Sequence, residues 1–179
     1  MLIATRPRRG GRATSSGFAH GFTLVELLVT AAVLAVGLSL AAPAFTQQIA
    51  NYRVRGAAES IVNGLNYARA EAVRRNGPVS FTLDSSGPGW TVEQVSTAAA
   101  LQSRASGETP GVSATSSNGA LALTFTPTGL VDTSGTRLVQ VTLGSSVAHT
   151  DSRQIDIFGG GLIRVCDPTV ATADDPRGC

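Results

Sequence analysis

Gly21 to Phe45 reads GFTLVELLVTAAVLAVGLSLAAPAF, a run that is apolar from Phe22 onward and carries a single charge, Glu26. As a helix, Phe22 to Phe45 extends roughly 36 Å at 1.5 Å per residue, enough to cross a hydrocarbon core of about 30 Å. Arg6, Arg8, Arg9 and Arg12 precede it, with no acidic residue among residues 1–21. The positive-inside tendency therefore puts the N terminus in the cytoplasm and everything after the span on the other side of the membrane.

Glu26 is the exception that needs a partner, because a carboxylate in an apolar span costs on the order of 3 kcal/mol by insertion scales. No Arg or His lies between Phe22 and Tyr52, and the chain contains no Lys. A free amino terminus, on this or another copy, would supply a positive charge if the chain were cut just before Phe22. The residues Gly21-Phe22-Thr23-Leu24-Val25-Glu26-Leu27 resemble the cleavage and methylation signature of type IV prepilins and type II secretion pseudopilins. The resemblance implies that a prepilin peptidase of the inner membrane cuts after Gly21 and methylates Phe22. It also implies that Glu26 pairs with a neighbouring subunit's amino terminus during assembly, and that the head lies in the periplasm.

Two plainer readings compete with this one. An ordinary secretory signal peptide would have a basic start, an apolar stretch and Ala42-Pro43-Ala44 as an A-x-A cleavage site. The apolar run exceeds the 7 to 15 residues usual for such a stretch, and Glu26 would have no purpose in it. A simple membrane anchor leaves Glu26 equally unexplained.

The 179 residues allow one ordinary domain with appendages, and the formal charge of +2 misleads. Four of the 14 arginines belong to the leader; a chain from Phe22 carries 10 Arg against 12 acids, and from Gly77 onward 5 Arg face 9 acids. An acidic exported domain argues against a broad nucleic-acid footprint. Both cysteines, Cys166 and Cys179, fall in the C-terminal tail. On the oxidising side of the membrane a disulfide is favoured over two free thiols, with a contribution of roughly 3 kcal/mol by the chain-entropy model.

Residues 1–21 form a cleavable basic leader without apolar period, and 22–45 a membrane and assembly helix. Residues 46–76 continue as the amphipathic half of the same helix, and 77–179 form a β-rich head with a disulfide-closed tail. Pro43 removes one helical hydrogen bond and predicts a kink or local melting near Ser39 to Pro43. The resemblance makes Pro43 a common feature of pilin-like stems, able to extend when subunits pack. Beyond it Val54, Ala58, Ile61, Leu65, Ala68 and Ala72 recur at helical spacing on one stripe. Arg53, Arg55, Arg69, Arg74 and Arg75 with Glu59 and Glu71 are expected off the stripe, on a solvated or subunit-facing side. Asn76-Gly77-Pro78 ends the helix.

The remainder predicts short antiparallel strands. Val79 to Leu83 and Trp90 to Val95 make a hairpin around a six-residue loop, Asp84 to Gly89. Leu121 to Phe125, Arg137 to Leu143, Gln154 to Phe158 and Leu162 to Cys166 follow. Ser96 to Gly119 has little hydrophobic pattern and is read as a long loop. The layout is α+β and pilin-like: a long N-terminal helix packed on an antiparallel sheet of about six strands. Leu123 to Gly129, Arg153 to Ile157 and Gly161 to Cys166 are similar to the C-terminal pattern of the GspH/FimT/FimU group of minor pilins and pseudopilins.

No enzyme constellation emerges, and no cofactor or metal is implied. His20 lies in the leader and His149 in a Ser-rich turn; Asp174 and Asp175 read as a solvated tail, and Gly159 to Gly161 as a tight strand connection. The group resemblance implies a subunit that helps to initiate or cap a filament in company with other major and minor (pseudo)pilins. Its alternative is DNA uptake, since FimT-like members carry phosphate contacts on a G-R-x-R pattern. Here the pattern is Gly161-Leu162-Ile163-Arg164, so only Arg164 matches, and one arginine in an acidic head supplies little affinity. Arg137, Arg153 and Arg177 would add to it only if the fold brought them together. The cysteine pair leans toward a pilus subunit over a pseudopilus subunit.

Overall fold

The computed structural model describes residues 21–170 and 175–179. The leader up to residue 20, including His20, and Asp174 of the tail lie outside the described residues. The chain divides into two compact units, Met1–Leu40 and Ala41–Cys179.

Helix α1 (Leu24–Arg75) begins in the first unit and ends in the second. Every residue from Gly21 to Leu40 is exposed. By length and composition the helix is able to cross a membrane. The expected local melting at Ser39 to Pro43 is absent, for the helix is assigned without a break through Pro43. Proline takes away one N–H only, and the flanking turns keep their bonds. Hydroxyls add to them: Ser39 Oγ donates to Val36 O at 2.7 Å and Thr46 Oγ1 to Pro43 O at 2.8 Å.

In the second unit the predicted stripe is the buried face. Val54, Ala58, Ile61, Leu65, Ala68 and Ala72 are all within 2% of full burial, and each large member contributes about 1.5–3 kcal/mol. The helix stops in a Schellman arrangement: Gly77 N–H donates to Ala72 O and Asn76 N–H to Val73 O, with Asn76 at φ 48°.

Eight strands follow: β1 (Val79–Leu83), β2 (Trp90–Gln94), β3 (Ala99–Arg104), β4 (Val112–Ser116), β5 (Ala122–Phe125), β6 (Gln140–Ser145), β7 (Arg153–Ile157) and β8 (Ile163–Cys166). They form two antiparallel four-stranded sheets, in the orders β3-β2-β1-β5 and β4-β6-β7-β8. The β1–β2 hairpin closes at Leu83 opposite Trp90, leaving the six-residue loop expected. Leu138 N–H donates to Ala122 O and Ile157 N–H to Val139 O, so the segment before β6 ties β5 to β7. One core cluster joins the helix stripe to Phe81, Trp90, Leu123, Leu143, Ile155 and their neighbours from both sheets.

The expected single sheet of about six strands is instead eight strands in two sheets, and two further expectations are corrected. Ser96 to Gly119 is not a long loop, because it holds β3, a short 3-10 turn (Ser106–Glu108) and β4. These are edge strands made mostly of Ala, Ser, Thr and Gln, with Val112 and Leu101 their only large apolar residues, so the backbone ladder holds them more than buried side chains do and they carry little hydrophobic period. Glu71 is not on a solvated side; it is buried at 7% exposure. Two arginines make that burial tolerable. Arg74 donates to both carboxylate oxygens at 2.9 and 2.6 Å, and Arg75 Nε donates at 2.6 Å. These bonds hold its carboxyl at about 2 against the partial cost of burial.

Candidate functional site

The N-terminal candidate region starts with Gly21, Phe22 and Thr23, which precede the helix without regular structure. Phe22 is 84% exposed, and nothing stands within 4 Å of a Cβ at Gly21. A peptide bond in such a segment is open to a peptidase, whereas one inside a helix is not. Thr23 caps α1: its Oγ1 accepts from Glu26 N–H at 3.2 Å. Thr23 and Glu26 stand at the N-cap and N3 positions, a capping-box spacing that the reading of Glu26 as a lone charge overlooked. The reciprocal bond is not made, and among the described residues the Glu26 carboxylate has no hydrogen-bond partner. Its place in the first helical turn also suits the positive end of the helix dipole.

At the other end of the chain Cys166 and Cys179 form a disulfide, with their Cα atoms 5.1 Å apart. Among the described residues between them, Asp167, Arg177 and Gly178 hold the tail's end against the end of β8. Asp167 N–H donates to Arg177 O at 2.7 Å, Asp167 and Gly178 form a parallel bridge, and Arg164 donates to Gly178 O at 2.6 Å.

The arginines of the head do not form a free basic surface. Arg153 is bonded to Asp167 and lies 3.5 Å from Asp151. Arg177 pairs with Asp175 at 2.7 Å and holds that carboxyl at about 2. Asp167 also sits low: burial raises it, but the Thr169 hydroxyl and N–H and the Arg153 guanidinium outweigh burial. Arg164, the residue singled out as a DNA contact, is committed to the tail carbonyl. Arg153 and Arg177 line one surface cavity with Val165 and Cys166, while Arg137 lines another beside Asp132. The four arginines are therefore not a single patch.

Arg69 fixes the far turns of the head to the helix. Its Nη1 donates to Gly161 O at 3.1 Å, and its side chain packs against both Gly129 and Gly161, at φ 76° and 79°. A Cβ at Gly161 would stand 2.5 Å from Gly129 O, so the two turns meet only through glycine. Among the described residues no group of three or more His, Cys, Asp or Glu is placed to hold a metal ion.

Comparison with known proteins agrees with this geometry. The family model for the type II transport protein GspH matches residues 57–161, and the model for the prokaryotic N-terminal methylation motif matches residues 18–42. Two crystal structures of the type IV minor pilin FimU from Pseudomonas aeruginosa (strain PAO1) share the fold. The form in space group P21 superposes with a TM-score of 0.54 at 21% identity, covering 66% of this chain and 95% of that one. The form in P65 gives 0.51 at 22% identity, covering 66% and 99%. No curated protein matches the chain. A methylation motif at the head of an apolar helix, followed by a matching domain over more than half the chain, places this protein in the GspH family of type II secretion pseudopilins and type IV minor pilins.

Proposed function

We propose that the chain is a minor subunit of a type IV pilus or a type II secretion pseudopilus that takes part in initiating the filament or forming its tip. The carrying observation is the wholly exposed apolar segment from Phe22 to Leu40, capped by Thr23 and bearing one carboxylate, Glu26, that has no partner among the described residues. In this reading residues 1–21 stay in the cytoplasm until a prepilin peptidase of the inner membrane cuts after Gly21. Phe22 becomes a methylated amino terminus, and the head stands in the periplasm beside other major and minor (pseudo)pilins. Glu26 then meets the positive amino terminus of a neighbour within the apolar bundle, where a charge pair is screened least. Apolar surface on all sides of the segment supports packing among like helices over a role as a passive tether.

The DNA-uptake alternative is less well supported by the same geometry. Arg153, Arg164 and Arg177 are already engaged by carboxylates or a carbonyl. Each would have to exchange that bond for a phosphate. Intact-mass analysis of protein taken from membranes tests the main reading: the expected chain begins at Phe22 with one added methyl group. A chain beginning at Ala44 or Phe45 would establish an ordinary signal peptide.

A further inference from the structure

Just past the apolar span, α1 borders a groove of about 250 Å³. Ile49, Ala50 and Arg53 of the helix form one side; Pro110, ahead of β4, and Val147, after β6, lie opposite. The lining is mostly apolar, with Thr46 and Ser145 as its uncharged polar members, and Arg53 is the one charged residue among the lining residues. Its guanidinium makes one long bond, to Pro110 O at 3.4 Å, and most of its donors have no partner among the described residues. Neighbouring charges are spoken for. Arg55 lies 3.4 Å from Asp151, which Arg153 also approaches, and Glu108 is paired with Arg104. Along the helix no acid occurs between Glu26 and Glu59.

Position adds the second argument. The apolar run ends at Phe45, and Thr46 to Arg53 covers only about 10 Å more of helix. The headgroup zone of a bilayer occupies roughly 5–8 Å on each side of its core. Helical side chains lean toward the N terminus, and Ile49, one turn before Arg53, lines the same groove. Tyr52 beside it is 62% exposed, an aromatic of the kind that anchors at a membrane interface.

We propose that this groove holds the headgroup of an anionic glycerophospholipid, with Arg53 on the phosphate and Ile49, Ala50 and Val147 against the glycerol and first methylenes. The site rests on the membrane-anchored reading above. It would hold the subunit's head at the bilayer surface until the filament withdraws the helix.

The test is native mass spectrometry of the full mature chain released from nanodiscs of phosphatidylethanolamine with or without phosphatidylglycerol. The wild type is expected to retain phosphatidylglycerol selectively. Arg53→Gln should reduce that retention about fivefold, the effect of one basic residue at an anionic surface, and Arg53→Lys should keep most of it. Val147→Trp, which fills the groove and spares the charge, should also lower retention, while Arg55→Gln should not. Equal losses for Arg53→Gln and Arg55→Gln would mean general surface attraction and overturn the site, as would a wild type without lipid preference. Failure of the chain to enter discs at all would be seen before any lipid is counted, and would overturn the membrane reading itself.

Discussion

The indole of Trp90 rests directly on Gly64 of the helix: a Cβ built there would stand 2.8 Å from two ring atoms of Trp90 and 3.0 Å from the Phe81 ring. The two rings stack with centroids 5.9 Å apart, and Trp90 Nε1 donates to the buried Ser60 Oγ at 3.0 Å. Gly64→Ala adds roughly 1 kcal/mol of helix propensity but overpacks a filled contact, at a cost of about 1–3 kcal/mol. A net loss of stability is expected. Gly56→Ala is the contrast, since nothing stands within 4 Å of its Cβ and propensity acts alone. Urea unfolding of a fragment from Ala41 should show the two midpoints moving in opposite directions.

Glu71 should give the head an acid-sensitive contribution. Its carboxyl is lowered from 4.5 to about 2, first by the bonds from Arg74 and Arg75. A carboxyl lower in the folded than in the unfolded state stabilises fully above the unfolded value, and that contribution is lost as pH falls through the folded one. Wild-type stability should therefore drop between about pH 4.5 and 2 more steeply than that of Glu71→Gln. Thermal unfolding at several pH values measures it, and parallel curves for the two proteins would contradict the assignment.

Opening the disulfide should act mainly on the tail. Cys166→Ser with Cys179→Ser removes roughly 3 kcal/mol by the loop-entropy model, and the Asp167 and Gly178 amides should lose hydrogen-exchange protection. β6 and β7 should keep theirs, because Val141, Leu143, Ile155 and Ile157 lie in the main core.

Glu26→Ala should insert at least as well as the wild type, since it removes a charge from an apolar helix. It should nevertheless fail to enter filaments. Fractionation of membranes and sheared filaments separates the two steps, and normal incorporation would end the charge-pairing role. Part of any defect in folding of the first turn would be shared by Thr23→Ala, which loses the cap.

Double-stranded DNA should bind the soluble head weakly or not at all at physiological salt. A mobility-shift titration at two salt concentrations is the measurement. Tight, salt-steep binding weakened by Arg164→Ala would reverse the ranking of the two functions.

Sequence alone determined the features that live in local pattern. The apolar length of Phe22 to Phe45 with its one carboxylate, the stripe from Val54 to Ala72, the stop at Asn76-Gly77 and the strands with alternating apolar residues were all legible, because period and turn chemistry are written within a few residues. Only the tertiary structure decided the rest. β3 and β4 became strands because β2 and β6 offered them backbone partners, which no composition of Ala, Ser and Thr announces. Glu71 could be buried because two arginines one turn on fold back over it. Arg153, Arg164 and Arg177 were removed from a basic patch by Asp151, Asp167, Asp175 and the Gly178 carbonyl, partners set by the register of β7 and β8 and by the path of the tail. Charge counted along a chain gives a total, whereas the potential a ligand meets depends on which charges the fold has already paired.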